Sequence, residues 1–339
     1  MIGPRTWRWR ANAGCVQFCT RVRRSWRRIC TSWGWTSTTD GVLSVRASWR
    51  GESPSLTGPD KGAYCVRVVR GNRVPFAECD MSTDVSRPAA VFPGLAGKIV
   101  LVTGAGRGIG RAIAEEFAKQ KCHLMLVDLD QRVEGTAAEM AAAHGTKVDY
   151  RLADVTDSAR VKEVVEETVQ PYGKGLDVLV NNAGITRDGL AMRMSDADWN
   201  AVISTNLTGT HNFCKAAIRY LRKANGVAIN ISSIVGVVGN VGQANYCAAK
   251  GGVISYTKAL AIEVPTVRFA VICPGFINTD MTAGLAQETK DYFVGKTAMK
   301  RMAEPWEIGQ AVVQAAADYG NSYKSCPIVM VAGGMELGG

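Results

Sequence analysis

From residue 98 onward, short and continuously apolar runs alternate with stretches whose apolar positions recur at helical spacing. KIVLVT (98 to 103), HLMLVD (123 to 128), KVDYRL (147 to 152), LDVLVN (176 to 181), GVAINIS (226 to 232), VRFAVIC (267 to 273) and PIVMVA (327 to 332) are seven strand candidates. Runs of this kind leave no face for water, so they fit strands covered on both sides by helices. The helical spacing predicts helices over 109 to 120, 131 to 144, 157 to 169, 197 to 223, 243 to 263 and 305 to 318. Regular alternation of the two predicts a doubly wound parallel α/β sheet in one domain, with no internal repeat.

The first 80 residues follow neither pattern. They hold 14 Lys plus Arg against 5 Asp plus Glu, so nearly all of the formal net charge of +10 lies there, and the body is close to neutral. They also carry six of the eight Trp (Trp7, Trp9, Trp26, Trp33, Trp35, Trp49) and five of the ten Cys. Residues 1 to 80 are therefore read as a basic Arg/Trp-rich extension, disordered or absent from the mature protein. Four explanations stand side by side. Ten Arg, no Lys and Asp40 alone among acids in residues 1 to 50 fit an organelle transit sequence, although Gly3, Pro4, Gly14 and Gly34 break an amphipathic helix. Met81 opens a stretch resembling a natural start, which would make the segment translated upstream sequence. Arg interleaved with Trp offers phosphate pairing and base stacking, and the fourth reading is solvated chain without a role. Nucleic acid is not expected as a partner, and the expected location is mitochondrial or cytoplasmic.

No apolar run reaches the length of a membrane span. The body cysteines (Cys122, Cys214, Cys247, Cys273, Cys326) never occur in CxxC spacing, so no metal site is expected.

Chemistry enters at the end of the first strand. In TGAGRGIG (103 to 110), Gly104, Gly108 and Gly110 precede a helix, where glycines permit a tight turn and let backbone amides approach a pyrophosphate. The spacing is GxxxGxG and departs from GxGxxG. Asp128 closes the second strand at about the distance expected of an acid that binds the adenosine ribose, which favours NAD; Arg107 in the loop argues for NADP as the alternative. Asp154, after the third strand, is a candidate partner for the adenine amino group or the cap of the helix near Ser158. These features make the sheet Rossmann-type.

A second constellation lies downstream. Ser233 closes the fifth strand candidate, and Tyr246 and Lys250 are four apart on the next helix, so they share one face. A phenol titrates near about 10, and a close ammonium is expected to lower that value and make Tyr246 a usable acid. YxxxK alone is weak: Tyr292 and Lys296 repeat it without an upstream Ser and are read as a solvent-facing pair.

Together TGAGRGIG, NNAGITRDGLAMRM, Asn206 in STNLTGT, the block from Ser233 to Lys250, and PGFINTDM (274 to 281) resemble the short-chain dehydrogenase/reductase family over residues 96 to 339. Within it they are similar to 3-oxoacyl-[acyl-carrier-protein] reductases and to type-8 17-beta-hydroxysteroid dehydrogenases. The resemblance implies Tyr246 as general acid/base, Lys250 tuning it and holding the nicotinamide ribose, Ser233 on the substrate oxygen, and Asn206 holding a relay water. It implies a cofactor site formed by Gly104, Arg107, Gly108, Ile109, Gly110, Asp128, Asp154, Val155, Asn182, Ala183, Gly184, Tyr246, Lys250, Ile277 and Thr279. It also implies an acyl thioester or steroid substrate, a homo-tetramer or a hetero-tetramer with a related subunit, and a segment over 276 to 304 that covers the substrate. A non-catalytic cofactor-holding subunit is the alternative of a different class. The chain departs from the family pattern in a short EVPTVRFAVICPG connection, in Ala224 where carrier-protein reductases often have Arg, and in YKSCP and VAGG near the C-terminus.

Overall fold

The computed structural model describes residues 35–37, 43–45, 92, 94–317 and 325–335. The chain divides into two units, Met1–Ser86 and Arg87–Gly339. In the first, β1 (Trp35–Ser37) and β2 (Leu43–Val45) pair antiparallel, a ribbon the sequence pattern did not announce. The remaining readings of residues 1 to 80, and the start at Met81, lie outside the described residues.

In the second unit all seven strand candidates form strands: β3 (Ile99–Thr103), β4 (His123–Asp128), β5 (Val148–Leu152), β6 (Val178–Asn181), β7 (Val227–Ile231), β8 (Arg268–Pro274) and β9 (Ile328–Val331). They make one parallel sheet in the order β5-β4-β3-β6-β7-β8-β9. The order reverses direction between β3 and β6, and the crevice beyond their carboxyl ends is where such sheets bind ligands.

The helices are α1 (Gly108–Lys119), α2 (Arg132–His144), α3 (Ser158–Val169), α4 (Asp196–Ile203), α5 (Gly209–Ala224), α6 (Val235–Val238), α7 (Ala244–Glu263), α8 (Asp280–Ala283), α9 (Gln287–Lys296) and α10 (Pro305–Ala316). Strand β3 shows why its sequence is apolar at every position. Val100 and Val102 pack with Ile113 and Phe117 of α1 and with Ile308 and Val312 of α10. Ile99 and Leu101 point the other way, to Val161 and Val164 of α3, Phe213 of α5 and Leu260 of α7. Below the sheet, Asp177 accepts from Lys98 Nζ at 2.8 Å and from the Ile99 amide at 2.9 Å, tying β3 to the segment that opens β6.

Three expectations change. The stretch 197 to 223 is not one helix, because α4 and α5 are joined by a π-helical turn, Ser204–Thr208, that buries Asn206. An extra residue per turn rotates the side chains around Asn206 relative to a continuous α-helix, and such turns frequently mark functional positions. Asp154 does not cap α3; Asp157 does, accepting from the Ala159 and Arg160 amides. The segment 276 to 304 contains α8 and α9, and its ends meet in a bridge between Ile277 and Ala303.

Phe117 is fully buried between the sheet and the α1/α10 layer. Phe117→Ala is expected to lower the unfolding free energy by about 3–5 kcal/mol, measured by urea denaturation; a loss below about 1 kcal/mol would contradict the packing described.

Candidate active site

The loop after β3 is shaped by close approach. Gly104 takes φ +63°, and a Cβ there would lie 2.8 Å from the Ala183 backbone. A Cβ on Gly110 would sit 1.9 Å from the Gly104 carbonyl, so only glycine lets the first turn of α1 rest on the loop. Arg107, the exposed N-cap of α1, gives no side-chain hydrogen bond to the helix amides, and the first turn carries no acid. That cradle fits a pyrophosphate, because helix N-terminal amides and the positive end of the dipole face the same place. Ile109 is partly buried against the core, and the Thr279 methyl lies 3.8 Å from where a Gly108 Cβ would be.

Asp128 stands beside this loop. Its Oδ2 accepts from the Gly106 amide at 2.8 Å and its Oδ1 from the Asp130 amide at 3.0 Å. Each oxygen keeps a second lone pair, which suits a ribose hydroxyl. A Cβ on Gly106 would lie 3.0 Å from that carboxylate, a role for the glycine that the spacing alone did not single out. Across the rim Asp130 pairs with Arg132, and Arg107 adds to the field that holds the Asp130 carboxyl down at about 2. Asp154 is exposed and accepts from the Thr156 amide and hydroxyl, both at 2.8 Å. Val155 is buried next to it, where a Cβ on Gly209 would be 2.5 Å from the Val155 methyl.

The two sides of the reversal are stitched together by Thr103 and Asn182. Thr103 Oγ1 accepts from the Asn182 and Ala183 amides at 3.0 and 3.1 Å, and Asn182 Nδ2 donates to the carbonyls of Thr103 and Gly104 at 3.0 Å each. Asn182 and Ala183 thus fix the floor of the crevice. Gly184 follows: a Cβ there would lie 3.2 Å from Asn206 Oδ1 and 3.5 Å from Lys250 Nζ. Asn206 in turn clamps Ile185, accepting from its amide at 2.8 Å and donating to its carbonyl at 3.0 Å. Ile277 is buried, and its carbonyl accepts from Thr282 at 2.7 Å, which anchors α8.

Ser233, Tyr246 and Lys250 come together at the carboxyl end of β7. Lys250 is 3% exposed, and its Nζ donates to the Ile231 carbonyl at 2.8 Å while standing 5.7 Å from the centre of the Tyr246 ring. Ser232 donates to the Lys250 carbonyl at 2.8 Å, which locks α7 to the strand. Ser233 faces the Tyr246 hydroxyl closely enough to favour its ionised form. By contrast Tyr292 is exposed on α9 with Lys296 over its ring at 4.6 Å, a solvated pair.

The expected acidification of Tyr246 is not what this arrangement produces. Burial pushes the phenol up to about 12, the Ser233 hydroxyl works against that, and the Asp188 carboxylate adds to it. Burial also pushes Lys250 down, to about 8. Desolvation is the largest cause for both groups, and it disfavours the charged form of each. At neutral pH the phenol keeps its proton and the amine is mostly ammonium.

A separate cavity of about 470 Å³ lies between the 276–304 segment and β9, lined by Phe276, Thr297, Met299, Arg301, Met330 and Gly333 among others, and by none of the reacting residues. Among the described residues all five cysteines are free, no group of side chains could hold a metal ion, and no helix is long and apolar enough to cross a membrane. Of the C-terminal departures, Tyr323 and Lys324 lie outside the described residues.

Lys250→Met should therefore raise stability below pH 8, where the native ammonium is penalised by burial. That advantage should shrink as pH climbs from about 8 toward the ordinary lysine value of 10.5, because the wild-type amine sheds its proton in the folded state first. Urea melts at pH 7 and pH 10 measure it, and an advantage that grows with pH would contradict the burial.

The profile of the short chain dehydrogenase family matches residues 98–290. The 3-oxoacyl-[acyl-carrier-protein] reductase FabG of Thermotoga maritima is 39% identical over 246 residues, covering 72% of this chain and 99% of that protein. The proteins of the same name from Chlamydia muridarum and Escherichia coli K12 are 42% and 40% identical, each covering 71% of this chain and 98% of its own length. With the glycine cradle, the sheet order and the Ser233, Tyr246 and Lys250 cluster already in place, this chain belongs to the short-chain dehydrogenase family of nicotinamide-dependent oxidoreductases.

Proposed function

We propose that the protein interconverts a 3-oxoacyl thioester and its 3-hydroxyacyl form, with Tyr246 as the proton carrier. The observation that carries this reading is the convergence of Ser233, Tyr246 and a buried Lys250 at the carboxyl end of β7, with Lys250 Nζ 5.7 Å from the centre of the Tyr246 ring. Its support from outside is identity near 40% to reductases of that name along almost their whole length.

The residues present fit a dinucleotide. Gly104, Arg107, Gly108, Ile109 and Gly110 would cradle the pyrophosphate, and Asp128, Asp154 and Val155 the adenosine. Asn182, Ala183 and Gly184 would line the floor, with Ile277 and Thr279 on the nicotinamide side. When bound, the nicotinamide supplies or accepts the hydride. In the reducing direction Tyr246 Oη would give its proton to the carbonyl oxygen of the substrate. Ser233 donates a hydrogen bond to the same oxygen, where charge develops in the transition state. Lys250 would hold the ribose and offset charge on the phenolate left behind. The Asn206 amide uses one lone pair and one N–H on Ile185, and keeps one of each for a relay water.

Large apolar side chains stand exposed on the surrounding segments, among them Leu190, Met192, Val238, Val241, Met281 and Leu285. They suit an acyl chain. The Asp128 carboxylate would repel a 2′-phosphate, which favours NAD, while Arg107 at the rim would pair with one. We further propose a homo-tetramer, and an N-terminal extension dispensable for the reaction.

Tyr246→Phe is expected to lose about 10² to 10⁴ in kcat for acetoacetyl-CoA reduction while keeping dinucleotide affinity. Unchanged turnover would refute the assignment. Running NADH and NADPH side by side tests the cofactor preference: a kcat/KM strongly in favour of NADPH would overturn the role given to the Asp128 charge.

A further inference from the structure

The residue before the tyrosine is wholly buried and polar. Asn245 is 0% exposed, and its amide contacts three separate segments. Oδ1 accepts from the Tyr246 amide at 2.7 Å, while Nδ2 donates to the Arg187 carbonyl at 2.8 Å and, at 3.4 Å, to the Asp198 carbonyl at the start of α4. Two more bonds reinforce the same seam. Gln243 Nε2 donates to Asp188 at 2.9 Å, and the Gly189 amide to the Gly242 carbonyl at 2.8 Å.

The seam joins the first turn of α7 to the loop that follows Gly184. That loop is itself held at Ile185 by Asn206, and Asn206 and Lys250 both line the place a Gly184 side chain would fill. A chain of short contacts therefore runs from the π-helical turn through residues 185 to 187 to the amide of Tyr246. Lys250 is fixed by α7 and β7 through bonds to Ile231 and Ser232. Tyr246 lies one turn nearer the helix start, where α7 has no side-chain cap from Gln243. Helix ends fray unless something outside holds them.

We propose that Asn245 is a positioning residue: its side-chain amide fixes the backbone of Tyr246 against the Arg187 and Asp198 carbonyls and so sets where the phenol meets the substrate oxygen. Misplacing a reacting group by about 1 Å can cost about a hundredfold in rate, which gives the seam a kinetic consequence. The inference rests on the carbonyl chemistry proposed above.

The test uses Asn245→Ala and the isosteric Asn245→Asp in the full chain. Aspartate keeps the acceptor for the Tyr246 amide and the packed volume, but sets a carboxylate oxygen against two carbonyls. Both variants should lower kcat for acetoacetyl-CoA reduction by about 10- to 100-fold, with KM and the dinucleotide Kd within about twofold of wild type. Hydrogen exchange, which needs no substrate, should show residues 186–190 and 240–247 losing protection together while α3 is unchanged. A folded Asn245→Asp protein with wild-type kcat would overturn the proposal, as would losses in dinucleotide binding as large as those in kcat. Failure of both variants to melt cooperatively would overturn it too, since Asn245 would then serve the fold and not the phenol. A wild-type protein inert toward acetoacetyl-CoA would count against the reaction; exchange then decides alone, with joint loss of protection supporting the seam and unchanged protection refuting it.

Discussion

The ammonium of Lys250 sits almost out of reach of water with the Ile231 carbonyl as its hydrogen-bond partner. Leaving a cation there is costly unless neighbouring dipoles offset the lost hydration, and the cost is visible in an amine driven down to about 8. The same burial drives the adjacent phenol up to about 12. The protein therefore holds an acid and a base whose protonation is set by desolvation, next to a glycine-lined crevice that fits a dinucleotide. Much of the surrounding architecture follows from keeping that pair in place: Ser232 locks α7 to β7, Gly184 makes room, and the π-helical turn brings Asn206 alongside.

The sheet supplies the place. Reversal of strand order between β3 and β6 opens a crevice beyond their carboxyl ends. Thr103 and Asn182 close its floor with four hydrogen bonds, and β6 joins β3, which leads into the loop that fits the pyrophosphate, to β7, whose end meets Tyr246, in one sheet. Fixed geometry of this kind is what allows positioning to contribute to rate.

The sheet was largely legible in the sequence because every core strand is covered on both faces. Strand β3 needs Ile99, Val100, Leu101 and Val102 in unbroken succession, whereas the edge strand β5, VDYRL, is only half-buried and admits Asp149 and Arg151. The Ser233, Tyr246 and Lys250 cluster was legible for a different reason, since two of its members share a helical face and the third ends a strand. The π-helical turn was not, because STNLT carries neither glycine nor proline to mark a break. Nor was the upward push on the phenol: a lysine four residues away suggests acidification, whereas burial is a property of the whole packed crevice. Asn245 reads in sequence as an ordinary residue at a helix start, and only the fold brings Arg187 and Asp198 to its amide.

The burial of Lys250 is the claim on which these arguments converge, and its ε-nitrogen can be observed directly. An NMR titration of the selectively labelled lysine, assigned by its disappearance in Lys250→Met, should give a midpoint of about 8 in the protein without added dinucleotide. A midpoint at the ordinary lysine value of 10.5 would contradict the account, because an amine that titrates normally is not confined in the dry pocket described.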